Sequence, residues 1–261
     1  MDAWDNSRSR ILTLSGLVLL SACTSSPVSP TSHSAENSLG MRFVRVPVAG
    51  QARPIEFCIH ETRECDIAAS RGTTSTSQRA ATQVSWNDAL AFCRWLTTKE
   101  HREGRLSLNQ QYRLPTDHEW SCAAGIGARE DPDNTPEAKR HIIVSHYPWG
   151  STWPPPRDSG NYFGRETQHV IPTSEPIPGF RDNHHAACEV MRFKPAPLGL
   201  YDLGGNVWEW CADNYRPGTD WRVLRGAAWN CSRPEVLLSS HRTFDPPNYR
   251  SDSVGFRVVR D

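Results

Sequence analysis

Apolar and polar residues alternate along residues 41–48 (MRFVRVPV), which is the pattern of a strand with one buried face. Short apolar stretches at residues 222–225 and 255–260 predict further strands near the end of the chain. Between these regions, residues 127–198 sustain neither a helical nor a strand period. An irregular stretch of this length is uncommon in a compact domain, and it indicates either a functional region or stabilisation by metal.

Two segments begin with side chains that cap helices. Ser85 can cap a helix, and Asp88 lies three residues later, where a carboxylate favours the positive end of the helix. Thr116 and Glu119 repeat this arrangement and predict a second helix. The apolar residues that share one face of the first helix are Ala89, Phe92, Trp95 and Leu96.

The beginning of the chain has the pattern of an export signal. A polar head with two arginines precedes an apolar run at residues 11–20, which is too short to span a bilayer. Small residues then precede Cys23, as they do where lipoprotein signal peptidase cuts. We therefore expect residues 1–22 to be a signal peptide and Cys23 to carry a lipid anchor. Thr24, in place of an aspartate, favours the outer membrane, with the domain facing the periplasm or the cell surface. A plain secretory signal with a chance cysteine is the alternative.

Residues 23–39 are rich in Ser, Thr and Pro, which predicts a flexible tether. Residues 40–261 read as one continuous domain with no further linker or repeat. Ten tryptophans, twenty prolines and seventeen glycines, with 37% hydrophobic residues, argue for a loop-rich globular domain rather than a helical bundle. Lysine plus arginine and aspartate plus glutamate both number 29, and this zero net charge argues against nucleic acid as a partner.

Six short blocks of sequence carry a family resemblance. They are VSWNDA (84–89), RLPT (113–116), YPWG (147–150), GLYDLGGNVWEW (199–210), RVLRG (222–226) and GFR (255–257). With these blocks the chain resembles the formylglycine-generating enzyme (sulfatase-modifying factor) family over residues 40–261. The resemblance implies an α+β fold, namely a variant of the C-type lectin fold in a single loop-rich domain with little regular secondary structure.

The resemblance also implies two structural calcium sites. Carboxylates and carbonyl oxygens are the hard ligands that calcium prefers, and glycines allow backbone carbonyls to turn inward. The first site would use the side chains of Asp202 and Glu209 and the carbonyls of Gly205 and Val207. The second would use Asn161, Tyr162, Asp182 and His184, the histidine replacing an aromatic residue of the family. Capped turns without metal are the alternative, whereas calcium would explain how residues 127–198 stay ordered.

The family's oxidase chemistry depends on a copper ion held by two cysteines. Two thiolates suit the soft Cu(I) ion. Cys231 matches the first of them, but the second is expected near Val236 and the chain contains no cysteine after Cys231. We therefore expect copper binding to be lost and regard Cys231 as a candidate catalytic residue only in altered chemistry.

The remaining cysteines have a structural interpretation. Apart from Cys23, seven cysteines would form up to three disulfides in an oxidising compartment. Cys58 and Cys65 are near enough in sequence to close a small loop. By resemblance, Cys122 matches a family disulfide cysteine and could take Cys231 as its partner.

The segment 230–254 also resembles the variable region of proteins diversified by retroelements. There, randomised side chains on a rigid lectin-like scaffold form a ligand surface, and ordinary sequence drift is the alternative. The candidate ligand-surface residues are Arg242, Phe244, Tyr249 and Arg250.

Three functions remain open from the sequence. The favoured one is a membrane-anchored, non-catalytic envelope module that binds a protein partner, for example in secretion or immunity. The second is an oxidoreductase acting on a cysteine or a siderophore-type substrate. The third is a diversified ligand-binding display lipoprotein.

Overall fold

The computed structural model describes residues 36–261, so the predicted signal peptide and the anchor at Cys23 lie outside the described residues. Asn37 is already buried, and its side-chain oxygen accepts a hydrogen bond of 3.0 Å from the backbone N–H of Met41. The folded contacts therefore begin a few residues before Gly40, where the sequence placed the start of the domain.

Eight short strands and four helices are distributed along the described chain. The strands are β1 (Phe43–Val46), β2 (Ile55–Cys58), β3 (Tyr112–Arg113), β4 (Trp208–Asn214), β5 (Arg222–Arg225), β6 (Thr243–Asp245), β7 (Val254–Gly255) and β8 (Val259–Arg260). The helices are α1 (Glu64–Ser70), α2 (Trp86–Arg102), α3 (Asp117–Ala123) and α4 (Pro136–Lys139). Short 3₁₀ turns occur at Gly127–Arg129 and Arg165–Thr167.

Both predicted helices are confirmed, and each begins with a reciprocal capping box. Ser85 Oγ accepts from the N–H of Asp88 (3.2 Å), while the Asp88 carboxylate accepts from the N–H of Ser85 (2.8 Å). Thr116 and Glu119 make the same pair of bonds at the start of α3. The side chains thus satisfy backbone donors that the first turn of a helix leaves unpaired.

The strands form two four-stranded sheets. The first has the order β1-β2-β8-β3 and is antiparallel throughout. The second has the order β6-β5-β4-β7 and is antiparallel except where β7 runs parallel to β4. The predicted strand at residues 255–260 is wrong as one element, because β7 joins the second sheet and β8 the first. The chain crosses between the sheets through Phe256, Arg257 and Val258, which are fully buried.

Tryptophans supply much of the interior. Trp120 and Trp210 are fully buried, yet both indole N–H groups have partners. Trp120 donates to Glu209 (2.9 Å) and Trp210 donates to the carbonyl of Val84 (2.9 Å). Large rings with a satisfied polar edge are well suited to a core with few long helices.

The stretch 127–198 is irregular, as the sequence predicted. Within it the structure has only α4 and the two 3₁₀ turns, all of whose residues are described. Among residues 36–261, none of the helices is both long and apolar enough to cross a membrane.

Candidate functional site

The GGNVWEW segment forms a tight loop that leads into β4. Asp202, Gly205 and Asn206 all have positive φ, at 55°, 79° and 58°. Glycine is required at position 205 because a Cβ there would collide with the carbonyl oxygen of Asn161. The loop carrying the first predicted calcium site is therefore packed directly against a residue of the second.

Asn206 holds this loop to the rest of the domain. Its Nδ2 donates to Glu61 (2.6 Å), and its Oδ1 accepts from the backbone N–H of Cys188 (2.8 Å) and from Asn161 Nδ2 (3.0 Å). Glu61 also accepts from the N–H of Val207 (3.3 Å). Sequence reasoning missed Glu61, since an acidic residue shortly after a strand carries no signal of burial.

The first predicted calcium site contains an excess of buried negative charge. Glu61, Asp202 and Glu209 are buried, and within residues 36–261 Arg257 is the one cation that contacts Glu209. Burial, reinforced by Glu209, raises the pKa of Asp202 to about 6. Burial together with Asp202 and Glu209 raises the pKa of Glu61 well above its ordinary value. A divalent cation would relieve the charge on Glu61 and Asp202, and the carboxylate of Asp202 and the loop carbonyls are suitable calcium ligands. Glu209 fits less well, because Arg257 and Trp120 already bind both of its carboxylate oxygens.

The second predicted site is also assembled. Asp182 accepts from the backbone N–H groups of Tyr162 (2.7 Å) and His184 (2.8 Å) through its two oxygens. Asn161 is fully buried, and its Oδ1 has no hydrogen-bond partner within residues 36–261. Such an orphaned acceptor is costly unless something binds it, so the residues fit a cation.

Glu166 belongs to this second site, although no sequence pattern singles it out. Its carboxylate accepts from the backbone N–H groups of Asp182 (2.5 Å) and Asn183 (2.7 Å). Burial and the neighbouring Glu166 raise the pKa of Asp182 to about 8. No three His, Cys, Asp or Glu side chains converge on a metal position in the described chain. Both sites would therefore depend on amide and backbone oxygens beside their carboxylates.

Cys231 lies at a separate cavity of about 560 Å³. Its thiol is half-buried, and burial raises its pKa to about 11. The same cavity is lined by Val236 and by the buried His241. Val236 occupies the place where the family resemblance predicts the second copper-binding cysteine. A copper ion would therefore meet one thiol and an aliphatic side chain, and these residues do not fit the two-thiolate site.

Arg242 was wrongly predicted to lie on a ligand surface. It is fully buried, where it bonds Glu130 (2.6 Å) and Asp117 (2.9 Å). Asp117 also binds Arg225 and Lys139, so five charged side chains share one interior network. A guanidinium in such a place is held by paired carboxylates rather than offered to a ligand.

The other three predicted surface residues are less buried. Phe244 stacks on Trp221 with ring centroids 4.5 Å apart, and Arg250 pairs with Asp88 of α2. Tyr249 is 39% exposed. None of the three lines the Cys231 cavity in the described structure.

The predicted disulfides are not formed. All seven cysteines from Cys58 onward are unpaired. The thiol of Cys58 lies beside His60 (3.9 Å), whereas that of Cys65 lies beside the Gln78 amide (3.8 Å). The proposed partners Cys122 and Cys231 likewise face other residues, His118 and Asn230.

The structure combines two small sheets, the GGNVWEW loop and a cavity at the thiol of Cys231. These features point to one protein family. The family of sulfatase-modifying factor enzyme 1-like domains matches residues 23–261. The chain belongs to this family, which confirms the resemblance seen in the sequence.

Three curated relatives illustrate the range of the family. The Mus musculus protein named inactive C-alpha-formylglycine-generating enzyme 2 is 36% identical over 182 residues, covering 67% of this chain and 47% of that protein. The formylglycine-generating enzyme of Streptomyces coelicolor is 30% identical over 209 residues, covering 72% and 54%. Chaperone protein LppX of Paenibacillus barcinonensis is 24% identical over 212 residues, covering 70% of each. The chain thus spans about half the length of the first two relatives.

Solved structures confirm the predicted fold class. PvdO from Pseudomonas aeruginosa matches with a TM-score of 0.59 and 17% identity, covering 90% of this chain and 99% of that one. Treponema denticola variable protein 1 matches with a TM-score of 0.55 and 20% identity, covering 87% and 98%. At these identities the likeness concerns the fold alone.

Proposed function

We propose that this protein is a non-catalytic accessory module of the bacterial envelope, which binds a protein partner instead of oxidising cysteines. The observation that carries the proposal is the pairing of Cys231 with Val236 in one cavity. One thiol cannot form the linear two-thiolate site that Cu(I) favours. The raised pKa of Cys231 further keeps its sulfur protonated at neutral pH, and a thiol is a poor ligand and a poor nucleophile.

The names of two relatives support a role without catalysis. One is called an inactive formylglycine-generating enzyme, and the other is called a chaperone protein. Both names suit a domain that keeps the scaffold and uses it for contacts with other proteins.

A copper titration tests the proposal directly. We expect the soluble domain to bind Cu(I) no better than its Cys231→Ser variant, measured by competition with a chromophoric Cu(I) chelator. Val236→Cys restores a second thiol to the cavity and is expected to tighten binding at least about tenfold, which is ~1.4 kcal/mol. Val236→Ser, of similar size but without a thiol, is the matched control.

The opposite result would support the oxidoreductase alternative. Tight Cu(I) binding by the unmodified protein, lost in Cys231→Ser and accompanied by oxygen-dependent oxidation of a cysteine peptide, would overturn the proposal. The formylglycine-generating enzyme of Streptomyces coelicolor, 30% identical, provides the positive control for that assay.

We propose that a lipid on Cys23 anchors the protein at the outer membrane. The support is the apolar run at residues 11–20 followed by small residues and a cysteine. Metabolic labelling with a palmitate analogue should label the intact protein and not Cys23→Ser, whereas Cys65→Ser should label normally. Equal labelling of Cys23→Ser would contradict the anchor.

We propose that the partner binds at the rim of the Cys231 cavity, with the exposed Tyr249 as a second candidate position. Arg233 lines the cavity and its side chain is 74% exposed, while Tyr249 is 39% exposed. A photo-crosslinking amino acid at either position should capture one envelope protein in cells. The same group at Leu108, which is 88% exposed and lies in neither region, is the control. The display alternative predicts instead that the ligand varies between strains with residues 243–253.

A further inference from the structure

A second cavity, of about 590 Å³, shares none of its lining residues with the cavity at Cys231. It lies between the segment that carries Tyr147 and Trp149 and a proline-rich segment, 194–198. Its volume is in the range of sites that hold small organic molecules. None of the predicted calcium ligands lines this cavity, and neither do Arg233 and Tyr249 of the proposed partner surface.

The walls of this cavity are flat and apolar. Tyr147 and Trp149 stack with ring centroids 4.8 Å apart and planes 3° from parallel. Further apolar lining residues are Pro148, Pro195, Pro197, Leu198 and Leu203. Aromatic and proline rings of this kind present flat faces, against which a planar ring packs with large contact area.

The aromatic wall is held in place by the surrounding structure. The Trp149 indole donates to the carbonyl of Thr152 (2.8 Å), and its ring meets Tyr162 edge-on at 5.3 Å. Tyr147 and Gly150 exchange two backbone hydrogen bonds, of 2.7 and 3.0 Å. Pro148 packs onto the backbone of Gly204, where a Cβ would collide with the proline ring. The site is therefore preformed, so a ligand would not have to order it on binding.

The charged side chains at the cavity are both basic. Arg157 and Lys194 line it and are exposed, and neither forms an ion pair with any residue in the range 36–261. No aspartate or glutamate contributes to the described lining. Two cations without a carboxylate partner in the described structure, beside an apolar wall, suit a carboxylate attached to an apolar body.

We propose that this cavity is a binding site for a small aromatic carboxylate, whose ring packs on Trp149 and the prolines while Arg157 and Lys194 bind its carboxylate. This assignment is independent of the protein-binding role, because the two cavities have no lining residue in common.

Isothermal titration with 2-naphthoate, against its uncharged analogue 2-naphthylmethanol, tests the assignment on the folded domain. We expect saturable binding of the acid and at least about tenfold weaker binding of the alcohol, as expected when one charge-assisted contact is lost. Lys194→Gln and Arg157→Gln should each lower the affinity for the acid several-fold and leave the affinity for the alcohol unchanged. Arg53→Gln removes an exposed cation outside the cavity and is the matched control.

A cavity-filling variant separates this site from unspecific adsorption. Ala196 is half-buried and lines the cavity, so Ala196→Phe should abolish binding of the acid while circular dichroism shows an unchanged fold. Equal affinity for acid and alcohol, or full binding by Ala196→Phe, would overturn the proposal. The absence of saturable binding of the acid up to millimolar concentration would overturn it as well.

Discussion

Arg257 holds Glu209 by three hydrogen bonds in the fully buried interior, with Nε 2.8 and 2.9 Å from the two carboxylate oxygens and Nη2 2.5 Å from one of them. Arg257 comes from the crossover between the two sheets, and Glu209 comes from the second residue of β4. The pair therefore ties the GGNVWEW loop to the segment that connects both sheets. The indole of Trp120 in α3 donates to the same carboxylate, which adds a third element to the contact.

Replacing Arg257 by methionine should destabilise the domain strongly. The substitution keeps much of the side-chain volume but leaves Glu209 buried without its cation, which typically costs about 3–5 kcal/mol. Chemical denaturation should report this loss in the free energy of unfolding. The exposed pair Arg233–Glu235 provides the control, since Arg233→Ala should change stability by less than about 1 kcal/mol. If Arg257→Met also lowered the free energy of unfolding by less than about 1 kcal/mol, Glu209 would have to take up a proton or a water molecule readily.

Calcium should raise the stability of the domain, and chelation should lower it. At a calcium concentration about a hundred times the Kd, binding contributes ~2.7 kcal/mol, or roughly 5–10 °C in Tm for a domain of this size. Asp202→Ala and Asn161→Ala each remove a proposed ligand and should reduce the shift measured by differential scanning calorimetry. Asp131→Ala, at an exposed turn, should keep the full shift. A Tm that is identical in EGTA and in excess calcium would contradict both metal sites.

Local signals in the sequence predicted the elements that depend on neighbouring residues. The capping boxes at Ser85 and Thr116 and strand β5 were found because their causes lie within a few residues. The crossover at Arg257 was missed because residues of one apolar run pair with strands of two different sheets. The apolar pattern of a strand does not indicate which strand it pairs with. Arg242 was misplaced on the surface for the same reason, since its partners Asp117 and Glu130 lie more than a hundred residues earlier.

The family resemblance grouped Asn161 with Asp182 and Asp202 with Glu209 as calcium ligands, which stays a prediction. In the structure the members of each pair lie near one another. Glu61 and Glu166 escaped notice because each enters its cluster by a contact between distant segments, through Asn206 and through the backbone of Asp182. Long-range carboxylates of this kind have no local signature in the sequence.

Alkylation of Cys231 should be slow at neutral pH and should accelerate strongly in base. With a pKa of about 11, only about one thiol in ten thousand is ionised at pH 7, and the thiolate is the reactive form. The rate with iodoacetamide, followed by peptide mass spectrometry, should rise about tenfold per pH unit between pH 7 and 10. Complete labelling within minutes at pH 7 would mean that the cavity stabilises the thiolate, and it would reopen a catalytic role for Cys231.

His241 should contribute a loss of stability in mild acid, opposite in sign to the contribution of the buried carboxylates Asp182 and Asp202. Burial, assisted by Arg140 and His141, lowers its pKa to about 3, whereas the unfolded chain binds the proton near the ordinary value of 6.5. Between these two values the unfolded state holds more protons on this side chain, so the contribution of His241 to the free energy of unfolding decreases as pH falls. From pH 7 to pH 5 this amounts to about 2 kcal/mol. His241→Gln cannot titrate and should lose that much less stability over the interval, as measured by urea denaturation at each pH. His185→Gln, at an exposed position, should follow the unmodified protein. Comparing variants cancels the contribution of the buried carboxylates, so identical slopes for His241→Gln and the unmodified protein would show that His241 is not held neutral in the fold.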